Sequence, residues 1–301
     1  MILLSILGAG TVSIAQTKGQ PLNKVVELFQ SGKAASGGLI RGEGLDFIEQ
    51  FVNTELDFIV FDLEHRPTDY QAVRIMLQGL LDRADIARRG NLQPKVVPLI
   101  RIPADAAERT RFMTKQALDL GAYGIVAPHI DTAEEMEATV AAARYPRSYD
   151  RERGLPFGVR GVGPQVAMRY WGLGRTEYFQ RAEVWPLAAD AEMLVIPMIE
   201  SRAGVENIEK ILQVKGVSAV FLGPGDMSVN YGHLSMPAGG GLPADVEAAF
   251  QKVLQACKKA NVPCGTISGA STADERLRQG FRFLIGDDQT AKRVKSFNAS
   301  R

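Results

Sequence analysis

Eight short apolar runs, separated by stretches of helical spacing, decide what this chain can fold into. The runs fall at residues 35–41, 56–62, 95–101, 124–128, 193–199, 217–222, 261–267 and 281–285. Several of them, such as VVPLI at 96–100 and SAVFL at 218–222, are apolar throughout rather than at alternate positions. Strands covered on both faces of a parallel sheet have that pattern. Helical spacing fills most of the gaps, at 68–88, 104–119, 132–143, 176–189, 202–212, 243–259, 272–279 and 288–297. A further short helix is expected in LNKVVELFQSG at 22–32, closed by Gly32. Eight strand–helix units in one chain predict a (β/α)₈ barrel of the TIM type. A doubly wound sheet is the runner-up, but GVRGVG at 158–163 has its glycines in the wrong order for a dinucleotide fingerprint and follows a loop.

With 301 residues, 46% of them hydrophobic, the chain can bury a large core. A net charge of +1 gives no electrostatic reason to expect nucleic acid or a membrane surface as partner. Cys257 and Cys264 make neither a disulfide framework nor a metal-ligand set, and read as small buried residues. Residues 1–20 stand apart. Their apolar run ends in small residues, with Ser13 and Ala15 spaced as in a cleavage site, yet no basic segment precedes it. The expectation is a signal peptide and an exported, periplasmic protein. The alternative is a buried N-terminal arm on a cytoplasmic one, with a single barrel domain over 21–301 in either case. Residues 82–95 and 144–175 also depart from the rhythm, and their charge suggests solvated connections that could shape a site.

In a barrel of this kind chemistry collects where the strands end. Reading only those positions gives Asp62, Glu64 and His65 after the second run, Arg101 after the third, and His129 after the fourth. Glu200 follows the fifth and Asp226 the sixth. Singly, each has a plain explanation: a helix cap for Asp226, a first-turn acid for Glu200, a structural imidazole for His129. Together they put one cation, several carboxylates and two imidazoles on one rim.

Hard oxygen ligands from Glu200 and Asp226, completed by water, suit Mg²⁺ or Mn²⁺, with Co²⁺ also acceptable. A cation so sparsely held leaves room for a 2-oxo acid to bind through carboxylate and keto oxygen. Arg101 is placed to hydrogen-bond that keto oxygen as charge builds on it. Backbone N–H groups at Gly223, Gly225 and Gly163 are candidates for the substrate carboxylate, with Glu64 at the same mouth. His65 is the expected proton carrier, its tautomer fixed by Asp62, provided the strand ends near Asp62 and His65 lies on the loop before Pro67.

The motifs DLEH (62–65), IRIP (100–103), ALDLGA (117–122), RYP (144–146), RGVG (160–163), IE (199–200) and FLGPGDMS (221–228) stand in the order seen in one family. The chain resembles the HpcH/HpaI aldolases, which include 4-hydroxy-2-oxoheptanedioate aldolase and other class II pyruvate aldolases, over about residues 22–295. The resemblance implies a barrel of the pyruvate/phosphoenolpyruvate type, commonly a homohexamer, or trimer of dimers, with an exchanged C-terminal helix. It implies Glu200 and Asp226 as metal ligands, Arg101 as the enolate-stabilising arginine and His65 with Asp62 as the acid–base pair. It also implies Asp119 as an aspartate reaching a neighbouring subunit's site. Leu63 and Arg66 stand where the family often has small residues, and His129 where it is usually apolar.

The resulting expectation is a metal-dependent carbon–carbon lyase. It splits or forms a 4-hydroxy-2-oxo acid, giving pyruvate and an aldehyde through a pyruvate enolate at the metal. No lysine at a strand end suggests the Schiff-base class of aldolase. The alternatives are a lyase for a CoA thioester or another 2-oxo acid, and a non-catalytic exported protein that binds oxo acids.

Overall fold

A computed structural model describes residues 21–103, 111–235 and 241–301. The leader at 1–20, with the expectations placed on it, lies outside the described residues, as does the start of the helix expected from 104.

All eight expected strands form. They are β1 (Ala35–Ile40), β2 (Phe58–Asp62), β3 (Val97–Arg101), β4 (Gly124–Ala127), β5 (Leu194–Ile199), β6 (Val220–Leu222), β7 (Cys264–Ile267) and β8 (Phe283–Ile285). Each pairs in parallel with the next, and β8 closes on β1 through Ala35–Phe283, Ser36–Leu284 and Gly37–Ile285, so the fold is a closed (β/α)₈ barrel. The strands are buried almost throughout, inside the barrel and under the helices, which is why their sequences do not alternate. Aromatic rings fill the interior near its N-terminal end. Phe58 stacks on Phe283 with ring centroids 4.3 Å apart and planes 7° from parallel. Residue 37 must be glycine for this to happen, because a Cβ there would meet the Phe58 ring at 2.2 Å.

The differences from expectation lie in the connections. The helix expected over 68–88 is two helices, Tyr70–Gly79 and Arg83–Arg89, because the Asp82 side chain accepts from the Asp85 N–H and starts a new one. The charged stretch from 82 is therefore partly helical. The helix expected over 176–189 ends at Arg181, with Pro186 a few residues beyond.

The segment from 144 is only in part a solvated connection, with residues 151–154 exposed but two of its arginines buried. The Arg144 guanidinium is fully buried, with Nε 2.6 Å from Glu183 Oε1 and Nη2 2.8 Å from Asp150 Oδ1. Arg160, also buried, donates to Asp119 Oδ1 at 2.8 Å and to the Tyr178 hydroxyl at 3.1 Å. The chain is anchored at Leu22 and Asn23. The N–H groups of Leu22 and Asn23 donate to Glu192, each at 2.8 Å, and Arg181 pairs with the same carboxylate. No helix among the described residues is long and apolar enough to cross a membrane.

Candidate active site

Asp62 and Arg101 end adjacent strands, and the β2–β3 register makes them Cα partners. The guanidinium edge faces the carboxylate, Nε donating to Oδ1 at 3.0 Å and Nη2 at ion-pair distance from Oδ2, 2.7 Å. Its third nitrogen, Nη1, lies 2.8 Å from Glu64 Oε2. Both Asp62 and Arg101 are buried, so the pair fixes a planar cation at the mouth of the barrel. Burial pushes the Asp62 carboxyl up, but the hydrogen bonds and charge of Arg101 and two backbone N–H groups hold it below its usual value.

Those two N–H groups belong to Glu64 and His65, each 3.2 Å from Asp62 Oδ1. The acid–base pair expected from sequence is therefore arranged differently. Asp62 holds the backbone of His65, not its imidazole, because its carboxylate is already spent on Arg101 and on turning the chain. The imidazole is about half exposed, with Nε2 3.7 Å from Glu64 Oε2. Glu64 is thus the carboxylate that faces both the ring and the arginine.

Glu200 follows β5 and is 2% exposed. Its Oε1 accepts the His129 N–H at 3.0 Å, and His129 Nδ1 lies 3.6 Å away. Its Oε2 has no hydrogen-bond partner. Burial, with the charges of Glu64 and Asp226 adding to it, outweighs the His129 contacts and raises this carboxyl to about 7. Glu64 is raised as well, chiefly by burial and despite Arg101, His65 and His129. His129 adopts φ of +53°, a conformation most side chains avoid, and in it reaches both acids: Nε2 stands 3.5 Å from Glu64 Oε1.

One ligand atom each from Glu64, His129 and Glu200 lies within 4.8 Å of the other two. Two crowded carboxyls of raised pKa, each with a buried oxygen that accepts no hydrogen bond, together with an imidazole, make a donor set that fits a divalent cation. Sequence reasoning found Glu200 but read His129 as structural and gave Glu64 to the substrate. The only prior signal for His129 was its place after a strand. Asp226, the other expected ligand, stands exposed on the rim in the first turn of the helix Pro224–Asn230, close enough for its charge to act on Glu64 and Glu200.

Gly223 closes the floor, since a Cβ there would lie 2.3 Å from Glu200 Oε2. Its N–H is directed at the Ile199 carbonyl at 3.4 Å, so it is not free for a substrate carboxylate. Gly225 faces open space in the helix's first turn, where N–H groups have no partner within the helix.

Two further candidates stand apart from this cluster: Gly163, and Asp119, which was expected at a neighbouring subunit's site rather than this one. Asp119 ends the helix Arg111–Asp119, five residues before β4 begins, and so lies toward the opposite end of the barrel. Its cationic partners are Lys115 and Arg160 of its own chain. Gly163 packs beside Asp119 and Lys115, with an added Cβ 3.1 Å from Asp119 Oδ2, and is no part of the rim in this chain.

Residues 39–287 match the HpcH/HpaI aldolase/citrate lyase family, a span that contains every residue of the cluster. The chain belongs to the HpcH/HpaI family. Family membership makes it a carbon–carbon lyase, related to the class II pyruvate aldolases. It is 30% identical over 277 residues to a hydroxypyruvate/pyruvate aldolase of Pseudomonas aeruginosa, covering 92% of this chain and 90% of that one. It is also 30% identical over 263 residues to a 2-keto-3-deoxy-L-rhamnonate aldolase of Klebsiella pneumoniae subsp. pneumoniae, covering 83% and 85%. The crystal structure of an HpcH/HpaI aldolase/citrate lyase family protein from Burkholderia cenocepacia J2315 has the same fold. It aligns with a TM-score of 0.70 and 26% identity, over 92% of this chain and 98% of that one.

Proposed function

We propose that this HpcH/HpaI enzyme is a divalent-metal-dependent aldolase that cleaves or forms the C3–C4 bond of a 4-hydroxy-2-oxo acid, with pyruvate and an aldehyde as the other side of the reaction. The observation that carries the reading is the conjunction at the strand ends. A buried arginine, held by Asp62 and Glu64, is joined through Glu64 to Glu200, a buried carboxylate with an unmatched oxygen. The names of the aldolases that the chain resembles support the reaction class.

Glu200 anchors the cation, with Glu64 and His129 in reach and Asp226 on the rim, and a bound Mg²⁺, Mn²⁺ or Co²⁺ supplies the Lewis acid that polarises the 2-oxo group. Arg101 donates to the substrate's 2-oxo oxygen and strengthens that hydrogen bond as negative charge accumulates there. Its three-sided clamp means no reorganisation is needed at that moment. The His65 ring, free of Asp62 and exposed to the cleft, takes the proton from the C4 hydroxyl. The C4 oxygen then closes to a carbonyl, the C3–C4 electron pair moves onto the pyruvate half as its enolate, and the aldehyde departs. Protonation at C3 gives pyruvate.

Release of pyruvate from 4-hydroxy-2-oxo acids of varied tail, measured before and after EDTA, tests this reading. EDTA-sensitive release supports it, and no release from any of them removes it. For the leader we carry forward the export reading, which N-terminal sequencing of the protein made in a secretion-competent host checks.

A further inference from the structure

At the opposite end of the barrel from the catalytic rim is a second cavity, of about 490 Å³. It opens where strands begin: Lys33 lies two residues before β1, Pro263 one before β7 and Arg282 one before β8. Its walls mix apolar side chains, with Phe29, Trp185, Leu254 and the two cysteines among them, and polar ones that include Gln30 and Asn261. Its polar side chains are mostly cationic. Lys33, Lys258, Arg282 and Arg301 line it, and no carboxylate side chain does.

The cations are not neutralised elsewhere. Neither Lys33 nor Lys258 has an ion-pair partner among the described residues. Arg282 has no carboxylate either. Its Nη1 donates to the carbonyls of Leu277 and Phe281, and its guanidinium lies over the Phe297 ring, as does that of Arg301. Backbone carbonyls and an aromatic face fix the arginine without cancelling its charge. Burial and the nearby Arg301 charge lower the pKa of Arg282 below its usual value, consistent with like charges left facing one another. The local backbone keeps the arrangement open. Gly280 has φ of +116°, and a Cβ there would meet Lys258 Cε at 2.4 Å, so the lysine lies across the rim only because residue 280 is glycine.

We propose that this cavity is a second, non-catalytic binding site for a small organic phosphate with an aromatic or other apolar body. The volume falls in the range of small-molecule sites, and the cavity brings apolar walls and several cationic groups together around one small space. Two ammonium groups and a fixed guanidinium suit a dianionic headgroup, while the packed Phe29–Trp185 pair, centroids 5.9 Å apart, forms apolar wall for the body. The strand-start position separates this site from the pyruvate chemistry, so its ligand acts on stability or regulation rather than as substrate. The proposal does not rest on the aldolase reading.

Phenyl phosphate is the probe, titrated into the full-length protein in EDTA. Trp185 reports the event: of the two tryptophans, Trp171 is packed away between Tyr123 and Tyr178. The expected result is saturable binding about tenfold or more tighter than inorganic phosphate, undiminished by pyruvate and by Glu200→Gln. The Lys33→Glu/Lys258→Glu double variant reverses two exposed charges that make no ion pair among the described residues, and should weaken binding by about tenfold or more. Trp185→Phe should remove the fluorescence change while calorimetry still records binding. The proposal is overturned by any of four results: no saturable binding, equal affinity in the double variant, competition by pyruvate, or binding of phenol as tight as that of its phosphate. Binding seen only after removal of residues 1–20 would also overturn it, by showing that the chain's own segment occupies the cavity.

Discussion

Glu200 Oε2 lies where a side chain on residue 223 would have to begin, 2.3 Å from the ideal Cβ of Gly223. The strand-end glycine and the buried carboxylate thus share one volume. A buried carboxylate oxygen with no hydrogen bond is costly, and a cation removes that cost.

Gly223→Ala should therefore act on the metal and not on the barrel. The methyl group displaces the Glu200 carboxylate from its place beside His129, weakening Mn²⁺ binding by about tenfold or more and lowering turnover with it. Calorimetric titration of Mn²⁺ against both proteins reads this directly. Wild-type affinity in the alanine variant would mean that Glu200 is not the anchor.

Glu200 also gives the metal-free protein a defined pH response. Its carboxyl is raised from 4.5 to about 7 by burial, so the folded state holds its proton more tightly than the unfolded chain does. The stability this contributes is fully present below pH 4.5 and is lost as pH rises through about 7, an effect on the order of 3 kcal/mol. In EDTA, the stability of wild type should fall relative to Glu200→Gln between pH 5 and pH 8. With saturating Mn²⁺ that deficit should disappear, so the metal-induced rise in melting temperature should be larger at pH 8 than at pH 6. Equal metal-induced shifts at both pH values would contradict the assignment.

Arg101→Lys keeps the charge and loses the geometry. A lysine cannot meet Asp62 along one edge while reaching Glu64 with another nitrogen. The expected loss in kcat/KM is about 100-fold or more, the magnitude seen when one oxyanion donor is removed. Unfolding in urea should show a cost of about 2–4 kcal/mol, because two buried acids lose their shared partner.

His65 and Glu64 separate two roles that the sequence assigned differently. His65→Ala, at a ring 54% exposed, should change stability by no more than about 0.5 kcal/mol and leave Mn²⁺ binding intact. Its turnover should fall by about 100-fold to 10,000-fold. Glu64→Gln should instead weaken both metal binding and turnover, since Glu64 faces His129, Glu200 and Arg101 at once. A Glu64→Gln protein with normal metal affinity would return the second ligand to Asp226.

The barrel was legible because its strands are apolar without alternation, which little else explains at that length. Arg101, Glu200 and Asp62 were legible because each ends a strand. What could not be read was how those side chains are shared out. The positive φ of His129, which aims its ring at two acids, has no signature in a histidine after a proline. Asp62 could be placed near His65, but its capture by Arg101 depends on the β2–β3 register. The burial of Arg144 was hidden for a similar reason: its partner Glu183 is 39 residues away, and a charge-rich segment looks the same whether its partners are water or distant carboxylates.

The most direct test of the account is deuterium exchange into the methyl group of pyruvate in D₂O, followed by NMR, with Mn²⁺ or Mg²⁺ and again with EDTA. It asks only whether the site forms the enolate, whatever the aldehyde. The account predicts exchange that requires the metal, is lost in Arg101→Lys and is lost in Glu200→Gln. Absence of exchange with every divalent metal, or exchange that survives EDTA and both substitutions, would contradict it.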